Sequence, residues 1–162
     1  MAVKYTDKAI ADMIAEPKPL PVNWRSRLNL LDKRGHMERE LDVIGDHGNE
    51  YRVLLRQSEI NPLDFSVILA LSPPGTNQLF CLRRYSGKSH EHTNRIEGET
   101  FFGAHVHYAT ARYQELGCGE DAYAEPCDRY ADFESALLCL LRECGFQEPE
   151  VDPSPRLGEV KP

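Results

Sequence analysis

Four of the six histidines fall between positions 90 and 107, as two His-x-His pairs, His90-Glu-His92 and His105-Val-His107. Imidazole titrates near neutral pH, so one ring can take a proton while another gives one. Neutral imidazole is also the commonest protein metal ligand. A basic run surrounds the first pair: Arg83, Arg84, Lys88 and Arg95 accompany a single acid, Glu91. Guanidinium and ammonium groups suit phosphate or carboxylate oxygens. Arg112 and Tyr113 follow closely in sequence.

These residues support three readings. In the leading one the chain is a small enzyme that acts on a phosphodiester, RNA or a nucleotide among the candidates. His105, His107, His92 and His90 supply acid–base catalysis, Arg83, Arg84, Arg112 and Tyr113 bind the substrate, and no cofactor is needed. In the second, a divalent metal is held by His90, His92 and Glu97, spaced H-x-H-x(4)-E. In the third, the His and Arg face is a non-catalytic interface for a protein partner. Glu115, Glu120 and Asp121 are the nearby acids that could orient imidazoles. Thr93-Asn94 reads as turn chemistry, since Asn tolerates left-handed backbone and closes turns through its side chain.

Two resemblances attach to these residues. The spacing of His90, His92 and Glu97 resembles the first motif of cupins over about ten residues. Gly87 lies closer to His90 than in that motif, Gly103 comes one residue early, and a second histidine motif is not evident. The segments Ser89-His-Glu-His-Thr-Asn94, Gly103-Ala-His-Val-His107, Arg112-Tyr-Gln-Glu115 and Tyr123-Ala124 together resemble a family of bacterial proteins without an established activity. That resemblance covers roughly a third of the chain and implies a site in this segment, not a reaction.

The elements that must position the site follow from periodicity. Ile10, Met13 and Ile14 predict a helix over 5–16, ended by the prolines of Glu16-Pro-Lys-Pro-Leu-Pro21. Strands are expected at 24–31, 40–44, 51–56, 65–71, 78–85 and 101–109, with a hairpin turn at Gly45-Asp-His-Gly-Asn49. Along 101–108, Phe102, Ala104, Val106 and Tyr108 form the expected core face, and His105 and His107 project from the other. Asp132 caps a helix over 133–144 that ends at Gly145. The expectation is an α+β fold, a mainly antiparallel meander-like sheet with an N-terminal and a C-terminal helix packed on it.

Length and charge set the frame. The 162 residues fit one domain, expected over 1–146, with a flexible, acidic, proline-containing tail at 147–162. Of the net charge of −7, residues 115–162 hold 12 acidic and 4 basic side chains, which leaves the first part near neutral. That argues against coating nucleic acid through bulk charge but leaves room for an anion at a local site. No stretch approaches the roughly 20 apolar residues of a membrane span. Five cysteines without a CxxC pair, and an N-terminus unlike an export signal, predict a cytoplasmic protein without disulfides.

Overall fold

The computed structural model describes residues 4–120 and 122–149. Helix α1 (Asp7–Ala15) is capped by Thr6, whose hydroxyl accepts the N–H of Ala9, and it buries Ile10, Met13 and Ile14. A short strand β1 (Lys18–Pro19) follows, then a one-turn helix α2 (Trp24–Arg27) and strand β2 (Leu31–Lys33). The expected strand at 24–31 is therefore corrected. Trp24 and Leu28, both buried, share one side of the helical turn and pack into the core.

Long strands β3 (His36–Ile44), β4 (Glu50–Ser58), β5 (Phe65–Ser72) and β6 (Phe80–Ser86) form an antiparallel meander. Next come β7 (His92–Asn94), β8 (Glu99–Phe101), β9 (His105–Tyr108), helix α3 (Ala111–Glu115) and β10 (Ala124–Pro126). Helix α4 (Phe133–Glu143) and strand β11 (Phe146–Gln147) complete the described fold. The main sheet has seven strands in the order β10-β9-β6-β5-β4-β3-β2. Strands β7 and β8 pair with each other outside it, and β1 pairs with β11 in parallel. The fold is α+β, as the periodicity predicts.

One face of the sheet is the core. Leu41, Val53, Leu55, Val67, Leu69, Tyr85 and Val106 lie there, covered by α1 and α4. Asp132 caps α4 through the Ser135 N–H, and Ala136, Cys139, Leu140 and Leu141 are the helix's buried residues. Gly145 ends the helix at φ +80°. A Cβ there would lie 2.5 Å from the Glu16 carbonyl, so only glycine fits. Lys18 joins the two helix ends. Its fully buried ammonium lies within 3.0 Å of the carbonyls of Met13, Ile14, Glu16 and Cys144.

The expected strand 101–109 is broken in two. Gly103 adopts φ +101°, which ends β8 before β9 begins, and it turns Phe102 into solvent at 72% exposure. The core-face assignment therefore holds for Ala104 and Val106, which are buried, and fails for Phe102. No disulfide forms among the described cysteines, and among the described residues no helix is long and apolar enough to cross a membrane. The expected tail lies, from residue 150 on, outside the described residues.

Candidate functional site

The face of the sheet opposite the core carries the histidines. Register aligns two rows across it. One runs Leu54, Ile68, Arg84, His107 and Ala124, and the other runs Arg56, Ser66, Ser86, His105 and Pro126. Directly paired residues in neighbouring strands project to the same side. His105 and His107 therefore stand beside Ser86 and Arg84.

The break at Gly103 gives this face its cover. Residues 95–98 form a tight turn, with Gly98 N–H donating to the Asn94 carbonyl at 2.7 Å, so that β7 and β8 form a small hairpin. The hairpin delivers His92 to the pair on β9. Its ring centroid lies 5.5 Å from that of His105 and 5.0 Å from that of His107, and His105 and His107 are 4.8 Å apart. One ring nitrogen from each of the three lies within 4.8 Å of the others. Phe101, paired with His92, places its ring against His92 and His105. His105 and His107 are thus only 3% and 8% exposed although they are not part of the hydrophobic core.

Hydrogen bonds fix two of the ring tautomers. His105 Nδ1 is 2.8 Å from the Gly103 carbonyl, which can only accept, so Nδ1 carries the proton and Nε2 the lone pair. His92 Nε2 is 2.8 Å from Asn94 Oδ1. The orientation of that amide is set independently: Oδ1 accepts the Ala124 N–H at 2.9 Å and Nδ2 donates to the Ala124 carbonyl at 2.7 Å. Nε2 of His92 must therefore donate, leaving its lone pair on Nδ1. Burial pushes His105 below the ordinary imidazole range, outweighing its bond to Gly103, and His92 and Arg84 act in the same direction.

The histidines open onto a hollow of about 190 Å³ whose lining also includes Arg56, Asp64, Ser66, Arg84, Ser86 and Glu91. Arg84 donates to Ser66 Oγ from Nε (3.2 Å) and Nη2 (3.0 Å). Ser86 is 7% exposed, and its hydroxyl has no hydrogen-bond partner among the described residues. A buried hydroxyl without a partner is uncommon and calls for an explanation. Its sequence surroundings give no reason to single it out. Its place in a row with His105 and Ser66 does.

The other candidates are placed elsewhere. Arg83 points to the core side of β6, as alternation along a strand requires once Arg84 faces the histidines. It lies over the Tyr108 ring and near Glu143. Burial would raise the Glu143 carboxyl, but Arg129, Tyr85 and Cys139 hold it down to about 2. His90 is at the rim, its side chain 70% exposed and 3.7 Å from Asp64. Glu97 does not join His90 and His92. It is bound by Arg112 and by the Tyr113 hydroxyl at 2.6 Å, and that same hydroxyl accepts the Ile96 N–H. Arg112 and Tyr113 thus anchor the hairpin turn to α3. Of the acids nearby in sequence, Glu120 accepts the N–H of Cys81, and Asp121 lies outside the described residues. The acceptors that orient His92 and His105 are Asn94 and the Gly103 carbonyl.

Comparison with known proteins returns nothing similar: no family model, no curated protein and no solved structure matches the chain.

Proposed function

We propose that His92, His105 and His107 bind a single divalent metal ion, zinc being the best fit to a neutral three-imidazole set, and that the chain is a metal-dependent hydrolase of phosphodiesters. The observation that carries the reading is the convergence of the three ring nitrogens. Ligation at about 2.0–2.1 Å would bring them to roughly 3.3 Å apart, so the rings close in slightly on binding. His92 Nδ1 and His105 Nε2, the lone-pair nitrogens, are the ligating atoms, and Asn94 and Gly103 act as the partners that hold the rings.

Three protein ligands leave a coordination position for water, whose pKa a bound metal lowers toward 7. Arg84 and the Ser86 hydroxyl hold the substrate's anionic oxygens, and Glu91 is placed at the rim to manage a proton. The segments that carry the bacterial-family resemblance supply all three histidines and Asn94. We also place the protein in the cytoplasm, where its cysteines stay reduced.

One observation favours a second reading, metal-free acid–base catalysis by the same rings: burial lowers the His105 pKa, and its Nδ1 bond to Gly103 leaves the Nε2 lone pair to act as a base. A single assay separates the two. Hydrolysis of bis(p-nitrophenyl) phosphate and of RNA is measured after chelation and dialysis, then after zinc, manganese or magnesium is restored. Loss of activity on chelation and recovery with metal supports the metal centre. Full activity in metal-free protein supports acid–base catalysis, and no activity with any metal rules out the hydrolase reading for these substrates.

A further inference from the structure

An antiparallel sheet with one solvated face normally carries polar side chains there. Leu54 and Ile68 depart from that pattern. They are direct partners across β4 and β5, both half-buried, and they line a second hollow of about 470 Å³. Leu31 lines it too, and Lys33, Glu38 and Glu40 supply charge around it. This hollow adjoins the histidine site on the same face. Arg56 lines both, and Ile68 is the register partner of Arg84, which in turn partners His107. Strands are spaced roughly 5 Å apart, so a group over Leu54 and Ile68 lies roughly 5–10 Å from an anion at Arg84. That matches the separation of a phosphate from the ring of its own ester.

We infer that the second hollow binds the aromatic group of a phosphate ester whose phosphoryl oxygens sit at Arg84 and Ser86. The substrate class is therefore an aryl or nucleoside phosphodiester. The inference rests on the reading of the histidine site as a phosphodiester site. Several features select an aromatic group. The hollow is broad, Leu54, Ile68 and Leu31 give it aliphatic carbon on the histidine face, and the Arg56 guanidinium can stack on a ring. Among the described residues the Ser86 hydroxyl has no hydrogen-bond partner, and Ser86 lines the histidine hollow, an independent sign that a ligand atom is expected at the phosphate end.

The test compares three product-like probes by calorimetry: inorganic phosphate, phenyl phosphate and adenosine 5′-monophosphate. It is run on zinc-loaded protein of measured metal content and again on metal-free protein. Either ester should bind at least about tenfold more tightly than inorganic phosphate, the scale of partly burying one ring. A preference shared by both esters assigns the hollow to simple aromatic rings, and one confined to adenosine monophosphate assigns it to a nucleobase. In Leu54→Ser with Ile68→Ser, and separately in Ile68→Ala, the preference should fall toward unity while affinity for inorganic phosphate is kept, which also shows that the site remains folded. Equal affinity for all three probes in the unaltered protein overturns the inference, even if zinc is fully bound. An ester preference retained in protein that takes up no zinc overturns the metal centre and leaves the aromatic subsite standing.

Discussion

Asn94 holds His92 with the same oxygen that binds Ala124. Its Oδ1 accepts from His92 Nε2 at 2.8 Å and from the Ala124 N–H at 2.9 Å. Ala124 is in turn the register partner of His107. One buried amide therefore ties the hairpin histidine to the strand that flanks the other two, and it sets both the position and the tautomer of the ring. In Asn94→Ala the orienting bond is lost, and metal affinity should fall about 10–100-fold. The Ala124 N–H and carbonyl also lose their partner, at a cost of about 2 kcal/mol or more. Zinc titration and urea unfolding measure the two effects. An unchanged zinc affinity would show that His92 is placed without Asn94.

The pH dependence of stability follows from His105. Its folded pKa is lowered, so below the ordinary value of 6.5 the unfolded chain binds more protons at this ring than the folded one. The contribution is fully present above pH 6.5 and is lost as the pH falls from there to the lowered folded value. Metal-free protein should therefore lose stability on acidification in that window, and His105→Gln should flatten that part of the curve. Urea unfolding between pH 5 and 8 is the measurement, and an identical slope in the variant would contradict the assignment.

Arg84 and Ser86 should separate anion binding from metal binding. In Arg84→Met, zinc affinity should stay within about threefold, while affinity for inorganic phosphate should drop tenfold or more, the scale of one charge-assisted pair. Ser86→Ala removes a buried hydroxyl that has no partner among the described residues, so the protein should be as stable as before or slightly more so, with weaker phosphate binding. A clear loss of stability in Ser86→Ala would mean that the hydroxyl has a structural role.

Lys18 provides a contrast outside the site. Its ammonium is buried against four carbonyls at the ends of α1 and α4. Lys18→Met leaves those acceptors without their donor and should destabilise the fold by on the order of 3 kcal/mol. Zinc affinity of the folded fraction should not change. Unfolding curves and zinc titration of the same sample decide this.

Much of the site was legible in the sequence because strand alternation is strict. Residues two apart on β9 had to share a face, and Ala104 and Val106 claimed the core, so His105 and His107 had to leave it. A loop between two antiparallel strands could also bring His92 back over them. Which arginine faces the histidines was not legible, because either Arg83 or Arg84 satisfies alternation until the register with β5 and β9 is known. The β7–β8 hairpin was missed because Gly98 and Gly103, which close and end it, look like ordinary loop glycines until their positive φ is seen. Spacing alone makes Glu97 a ligand in the metal-dependent reading, whereas in the fold Arg112 and Tyr113, distant by 15 and 16 residues, claim it. Ser86 and Asn94 carry no local signal of their roles. Each depends on a partner, or the lack of one, that only the folded chain defines.

The most direct test is calorimetric titration of metal-free protein with zinc, run on the unaltered chain and on His92→Ala, His105→Ala, His107→Ala and His90→Ala. The expected result is one zinc per chain for the unaltered protein and for His90→Ala, whose ring lies at the exposed rim, and loss of that binding in each of the other three. Unfolding curves of the metal-free variants should stay within about 2 kcal/mol of the unaltered chain, which separates loss of a ligand from loss of the fold. No zinc uptake by the unaltered protein, or uptake that survives replacement of His92, His105 and His107, would contradict the three-histidine centre.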